Sequence, residues 1–182
     1  MRKALELLGR LSDIDVDWLI GVGVHRYLDA GTVLIEEGGT VDFLYILLDG
    51  ELRVTAGHQS RPIATLLSGE IIGEISFVDS RPRSATVKAS RDSHVLSISR
   101  HLLDKQLTED TAFAARFYFA LATLLAARLR NTNDRLGYVD PSPENDPDEL
   151  DDSAMDEITM AASHFTMVLQ RLRGGAVMKA TG

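Results

Sequence analysis

The chain has 182 residues, 45% of them hydrophobic and 25% charged, which fits one globular domain of ordinary size plus an appendage and excludes a disordered or bilayer-spanning composition. Its net charge of −8 argues against a general affinity for nucleic acid, which needs a basic surface, yet leaves room for a small anion held by a single arginine. With no cysteine there is no disulfide framework, no thiolate nucleophile and no cysteine-ligated zinc.

The opening, Met1-Arg2-Lys3-Ala4-Leu5-Glu6, carries an acid at once and lacks the apolar core and cleavage site of a secretory signal. No apolar run approaches the roughly 20 residues that span a bilayer, so the expectation is a cytoplasmic protein without a membrane partner. Ser12 with Asp15 three residues on reads as a capping box, and Val16, Leu19 and Ile20 continue a helix. From Thr32 the pattern changes to short segments rich in β-branched and aromatic residues. These are Thr32–Glu36, Phe43–Leu48, Glu51–Thr55, Ile63–Leu66, Ala85–Ala89 and His94–Ile98. Asp49-Gly50 reads as a tight hairpin and Ala56-Gly57-His58 as a second turn, so an antiparallel sandwich or barrel is expected.

After Ser99 a short helix is expected over Arg100–Leu107 and a long one over Asp110–Leu136, with Gly137 as its stop. Phe113, Phe117, Ala120, Leu124 and Ala127 recur at alternating spacings of four and three, a seam about two heptads long, while Leu121, Leu125 and Leu129 supply a second apolar face. A helix apolar on two sides needs two partners, so a homodimer through residues 110–136 is expected. Three prolines among the acids of Asp140–Glu149 predict a solvated linker, and Met155, Ile158, Ala162, Phe165, Leu169 and Leu172 predict an amphipathic helix over 153–173 ended by Gly174-Gly175. The organisation expected is 1–137, a linker at 138–152, and a helix with its tail at 153–182.

The chemistry is concentrated in residues 68–87, SGEIIGEISFVDSRPRSATV, which leave a strand, turn on glycine, make one or two helical turns and re-enter a strand. Amides at a helix start point outward unpaired and suit a phosphate, and an arginine facing the same hollow adds a planar fork of donors. A nearby carboxylate can accept from a ribose hydroxyl, and Gly73 permits close backbone approach.

These residues resemble the cyclic-nucleotide-binding domains of the catabolite activator protein, the regulatory subunits of cyclic-AMP-dependent protein kinase, and nucleotide-gated channels. The resemblance covers residues 1–137. Gly73-Glu74-Ile75-Ser76 is similar to the family's Gly-Glu-Leu-Ala segment and Pro82-Arg83-Ser84-Ala85-Thr86-Val87 to its Pro-Arg-Ala-Ala-Thr-Val segment, with the same separation of acid and arginine. It implies an α+β fold, an antiparallel β-roll or jelly-roll barrel flanked by N-terminal helices and a long C-terminal helix. It also implies a site of Gly73, Glu74, Ile75, Ser76, Arg83, Ser84 and Ala85. Arg83 pairs with the cyclic phosphate, Glu74 takes the ribose 2′-hydroxyl, and the amides of Ser76 and Ser84 hold phosphate oxygens. Arg128–Gly137 is similar to the activator protein's dimerisation helix, where Thr132 matches a base-contacting threonine and Asn133 replaces a serine.

An isolated Glu–Arg pair is ordinarily a surface ion pair of about 0–1 kcal/mol, and only the surrounding motif reverses that reading here. His25, His58, His94, His101 and His164 show no metal-site spacing, and no nucleophile elbow or Walker-type loop is present, so neither a metal nor a catalytic residue is expected. The function expected is a non-catalytic sensor of cyclic AMP or cyclic GMP, coupled through its long and C-terminal helices to a protein partner. The alternative is a scaffold that has kept the fold without the ligand. Residues 138–182 are too few and too acidic for a helix-turn-helix, so no DNA partner is expected.

Overall fold

In a computed structural model, which describes residues 8–40, 42–57, 61–78, 83–135, 152–172 and 178–179, the chain forms two facing sheets with helices gathered at one side. Helix α1 (Asp13–Val22) begins as local chemistry requires: Asp15 N–H donates to Ser12 Oγ at 3.3 Å and Ser12 N–H to Asp15 Oδ2 at 2.8 Å, a complete capping box. The described residues form strands β1 (Val24–Leu28), β2 (Val33–Ile35), β3 (Phe43–Asp49), β4 (Glu51–Ala56), β5 (Arg61–Leu67), β6 (Ile71–Ile72), β7 (Thr86–Ala89), β8 (Ser93–Ser99) and β9 (Met178–Lys179). The remaining helices are α2 (Arg100–Glu109), α3 (Thr111–Arg135) and α4 (Asp152–Leu172).

One sheet has the order β6-β3-β8-β1-β9 and the other β2-β7-β4-β5; every pairing is antiparallel except that of β9 with β1. This is the jelly-roll α+β architecture expected from the sequence. Strand alternation explains its two cores. Along β3, Leu44, Ile46 and Leu48 face the helices while Tyr45 and Leu47 face the barrel interior, and on β8 Leu96 and Ile98 oppose Val95 in the same way. Both faces of this sheet are covered, which is why Phe43–Leu48 reads as one apolar run. The second sheet buries Leu52, Leu66 and Val87 inside the barrel and leaves Arg53 and Lys88 outside.

Several expectations change. Val24–Leu28, read as part of a helical opening, is a strand held by β8 in the register Val24↔Ser97 to Leu28↔Ser93. Asp49-Gly50 is not a hairpin: β3 pairs with β8 and β6 while β4 pairs with β5 and β7, so the glycine turns a corner between sheets. Gly50 sits at φ 110°, and a Cβ there would lie 2.6 Å from Ser93 Cα, so both conformation and space demand glycine. Strands β6 and β9 were not foreseen.

The seam of α3 also faces inward. Phe113, Phe117, Ala120, Leu124 and Ala127 are buried in the protein's own helical core with Leu121, whereas Leu129 is exposed. Thr111–Arg130 is long and apolar enough to cross a membrane by length and composition, contrary to the expectation that no run approaches that length, but the helix spends this apolar character partly on the core. Asp110 Oδ1 caps it by accepting from Phe113 N–H at 2.9 Å. The stop at Gly137, the acidic linker and Gly174-Gly175 lie outside the described residues.

Candidate functional site

The segment from β5 to β7 is built against β3. At the Ser68-Gly69 turn, Gly69 (φ 89°) donates its N–H to the Leu47 carbonyl at 2.7 Å, and Leu47 N–H donates to the Glu70 carbonyl at 2.8 Å. Strand β6 then pairs with β3 (Tyr45↔Ile72), burying Ile71 on the helical side and Ile72 in the barrel. Gly73 (φ 91°) reverses the chain into a single 3₁₀ turn, Glu74–Phe77, closed by Val78 N–H on the Ile75 carbonyl. Ile75 projects outward; the side chain of Ser76 lies outside the described residues.

Glu74 is 2% exposed, unusual for a carboxylate, and its partner is not Arg83. Arg128, on α3, pairs with Glu74 Oε1 and donates through its second terminal nitrogen to the Ile71 carbonyl. Burial pushes the Glu74 carboxyl above the ordinary range, the Arg128 charge opposes that, and the neighbouring Glu70 adds to it. Phe77 makes an edge contact with Phe117 at 5.9 Å, so the cassette is fixed to α3 at two places. Eleven residues separate them along that helix, about 16 Å at 1.5 Å per residue.

Arg83 is half-buried where the chain approaches β7. Its carbonyl accepts Gly38 N–H at 2.9 Å, and Glu37 N–H donates to Thr86 Oγ1 at 3.1 Å, so the β2–β3 loop braces this segment. The Nε of Arg83 is buried without a hydrogen-bond partner among the described residues. Its charge reaches Tyr45, a phenol that burial raises and that Arg26 and Arg83 lower in part. Ser84 is exposed and Ala85 half-buried. Thr132 and Asn133 are exposed on α3, where the Thr132 hydroxyl donates to the Arg128 carbonyl at 2.9 Å, a bond internal to the helix.

Arg128 is the residue that sequence reasoning missed. Its signal was a charge between Ala127 and Leu129 on the margin of a buried stripe, and nothing local says that its partner lies 54 residues earlier. Two of the scattered histidines do meet, His25 Nε2 and His94 Nδ1 at 3.1 Å across β1 and β8. Among the described residues, however, no group of three or more metal-ligating side chains comes together.

Residues 25–110 match the family model of the cyclic nucleotide-binding domain. The chain is 30% identical over 98 residues to the cAMP-dependent protein kinase regulatory subunit of Yarrowia lipolytica, covering 54% of this chain and 26% of that one. It is 29% identical over 137 residues to the cyclic AMP receptor protein of Thermus thermophilus, covering 72% and 60%. It thus spans less than two thirds of either relative. A solved cyclic nucleotide-binding domain from Methylobacillus flagellatus superposes with a TM-score of 0.67 at 28% identity, over 78% of this chain and 85% of that one. The matched motif, the two-sheet roll and the cassette between β5 and β7 agree with one another: residues 25–110, a little under half of the chain, form a domain of the cyclic nucleotide-binding type.

Proposed function

We propose that the chain is a non-catalytic receptor for a cyclic purine mononucleotide, cyclic AMP or cyclic GMP. The observation that carries this reading is Arg83, whose Nε is buried and without a hydrogen-bond partner among the described residues, together with a cassette already shaped by Gly73 and the 3₁₀ turn. Arg83 pairs with the cyclic phosphate, with main-chain N–H groups of Ser76, Ser84 and Ala85 as further donors, and Glu74 accepts the ribose 2′-hydroxyl. Ile75 lines the cassette rim; Thr132 and Asn133 approach the base from α3. Charge-assisted bonds contribute about 1.5–3 kcal/mol each, so three or four of them with base stacking reach micromolar affinity, about −8 kcal/mol.

Arg128 supplies the coupling. The ribose hydroxyl and Arg128 act on one carboxylate, so nucleotide capture and the position of α3 are thermodynamically linked, and each biases the other. The output is contact with a protein, with α4 rearranging, and not sequence-specific DNA binding. The homodimer proposed here uses the outer face of α3, because the inner one is occupied. Ala112, Ala115, Phe119, Ala122, Ala126 and Leu129 are all exposed and recur at spacings of three and four, a coiled-coil seam of mostly small residues.

Calorimetric titration with cyclic AMP, cyclic GMP and linear AMP tests the reading. Saturable heat with a cyclic nucleotide and none with AMP is expected. Silence at millimolar concentrations of both cyclic forms overturns it in favour of a scaffold, a reading to which the already occupied Glu74 lends some support.

A further inference from the structure

Helix α4 lies against α1, and its most deeply set polar side chain is His164, 1% exposed. Nδ1 of this ring is 2.7 Å from the Leu8 carbonyl oxygen, and Nε2 is 2.6 Å from Asp13 Oδ1. Both partners are acceptors. A main-chain carbonyl has no hydrogen to give, and the partner atom on Asp13, 82% exposed, is an oxygen of a carboxylate, which accepts only. A neutral imidazole carries one N–H and one lone pair, so in either tautomer a lone pair would face an oxygen at hydrogen-bond distance. Two donated bonds require two ring hydrogens, the imidazolium form.

The charged groups around the ring suit that form. From α1 come Asp13 in contact and Asp17, which Arg171 of α4 pairs at 3.1 Å. Asp15, between them, faces the other way, where Arg116 of α3 holds it at 2.6 and 2.9 Å. Arg10, two residues after Leu8, stacks on the Phe119 ring at 4.6 Å. Arg171 and Arg116 thus answer Asp17 and Asp15, and the third acid of the Asp13-Ile14-Asp15-Val16-Asp17 run is left to His164. The rest of the hold is apolar, with Ala161 and Val168 buried and Phe165, Met167 and Leu169 packed at the edge. Among the described residues of α4, His164 is the only imidazole, and it is set into the contact with α1.

We propose that α4 is a proton-dependent clasp, docked on α1 while His164 holds both ring hydrogens and released as the ring loses one. The docked state binds a proton that the released state surrenders, so docking is favoured at low pH and weakens as pH rises. Neither Glu74 nor Arg83 takes part, and the clasp stands whether or not the cassette captures a nucleotide.

The test uses the full chain without nucleotide, compared at about pH 5.5 and about pH 8.5, values that bracket an ordinary imidazole. Amide-exchange protection of residues 159–172, corrected for intrinsic exchange rates, reports docking. So does the emission of Trp18, which lies in the same core and is the sole tryptophan. Protection falls by about tenfold per pH unit once the ring begins to lose its proton, the response of a single linked proton. Global melting is unsuitable, because His25, held toward neutrality by burial and by its neighbour His94, is linked to pH with the opposite sign. His164→Gln carries both its N–H donors on one nitrogen and an acceptor oxygen beside it, so it cannot donate in both directions, and it loses protection at both pH values. Asp13→Asn supplies an N–H to the ring's lone pair, so α4 stays docked at high pH. The proposal is overturned by wild-type protection that is equal at both pH values, by a ring that nitrogen–proton NMR shows neutral in the docked state, or by an Asp13→Asn variant that loosens α4 equally at both.

Discussion

Glu74 and Arg128 form an ion pair across 54 residues in which the acid is almost wholly buried and the base bridges two parts of the cassette. The two members are not equivalent. Removing the base strands a carboxylate in a desolvated site, while replacing the acid by an amide removes the charge that burial penalises. Arg128→Ala is expected to cost about 3–5 kcal/mol in urea unfolding, whereas Glu74→Gln costs far less or stabilises. Both weaken nucleotide binding in titration. Equal losses from the two substitutions would contradict the asymmetry.

Arg83 is tied to the fold by its main chain, through the bond from Gly38, and its Nε makes no hydrogen bond among the described residues. Arg83→Ala is expected to abolish the thermal shift given by cyclic nucleotide while changing the unliganded protein by no more than about 0.5 kcal/mol. Differential scanning fluorimetry with and without ligand reads both quantities.

Asp15 presents an acid-side dependence. Burial alone would raise its carboxyl; the Arg116 fork and the bonds from Ser12 more than reverse this and leave it below 3.8. The stability it contributes is therefore present above the ordinary carboxylate range and is lost as pH falls through the lowered value. Asp15→Asn is expected to cost about 1–3 kcal/mol near neutrality, discounted because Arg116 is partly exposed, and to flatten the acid limb of stability measured by urea unfolding between about pH 5 and about pH 2.

At the sheet corner, Gly50→Ala must adopt φ near 110° and push a methyl group onto Ser93. Backbone strain alone costs about 1–3 kcal/mol. Ser93 would also have to move, and it now accepts Glu51 N–H at 3.1 Å and donates to the Arg91 carbonyl at 2.8 Å, so a loss at or above the top of that range is expected in chemical denaturation.

The outer face of α3 gives a test of assembly. Phe119→Glu and Ala122→Glu place charge in the exposed seam without touching the buried face. They are expected to convert a dimer to a monomer in size-exclusion chromatography with light scattering, with little change in secondary structure. A wild-type chain that runs as a monomer throughout would remove this interface.

Much of this architecture is legible in the sequence where the determining chemistry is local. Ser12 and Asp15 cap each other within one turn, and Phe43–Leu48 announces a strand covered on both faces. The Gly73–Ser76 and Arg83–Val87 motifs locate the cassette before any fold is known. What could not be read depends on distant partners. Val24–Leu28 becomes a strand because β8, some 70 residues later, supplies its ladder. Asp49-Gly50 signals a turn but not which sheet receives the next strand. The two apolar faces of α3 do not say which one points inward, and Arg128 declares its role only when Ile71 and Glu74 arrive beside it.

Leu8 and His164 are 156 residues apart, and every contact of α4 with α1 spans a comparable separation. At ribosomal speeds of about 5–20 residues per second, the apolar residues in and just before α1 leave the ribosome roughly 8–30 seconds before the helix that covers them. For that interval Leu8, Leu11 and Val16 form a sticky nascent surface, and chaperone occupancy during synthesis should be greatest there and fall once residue 172 has emerged.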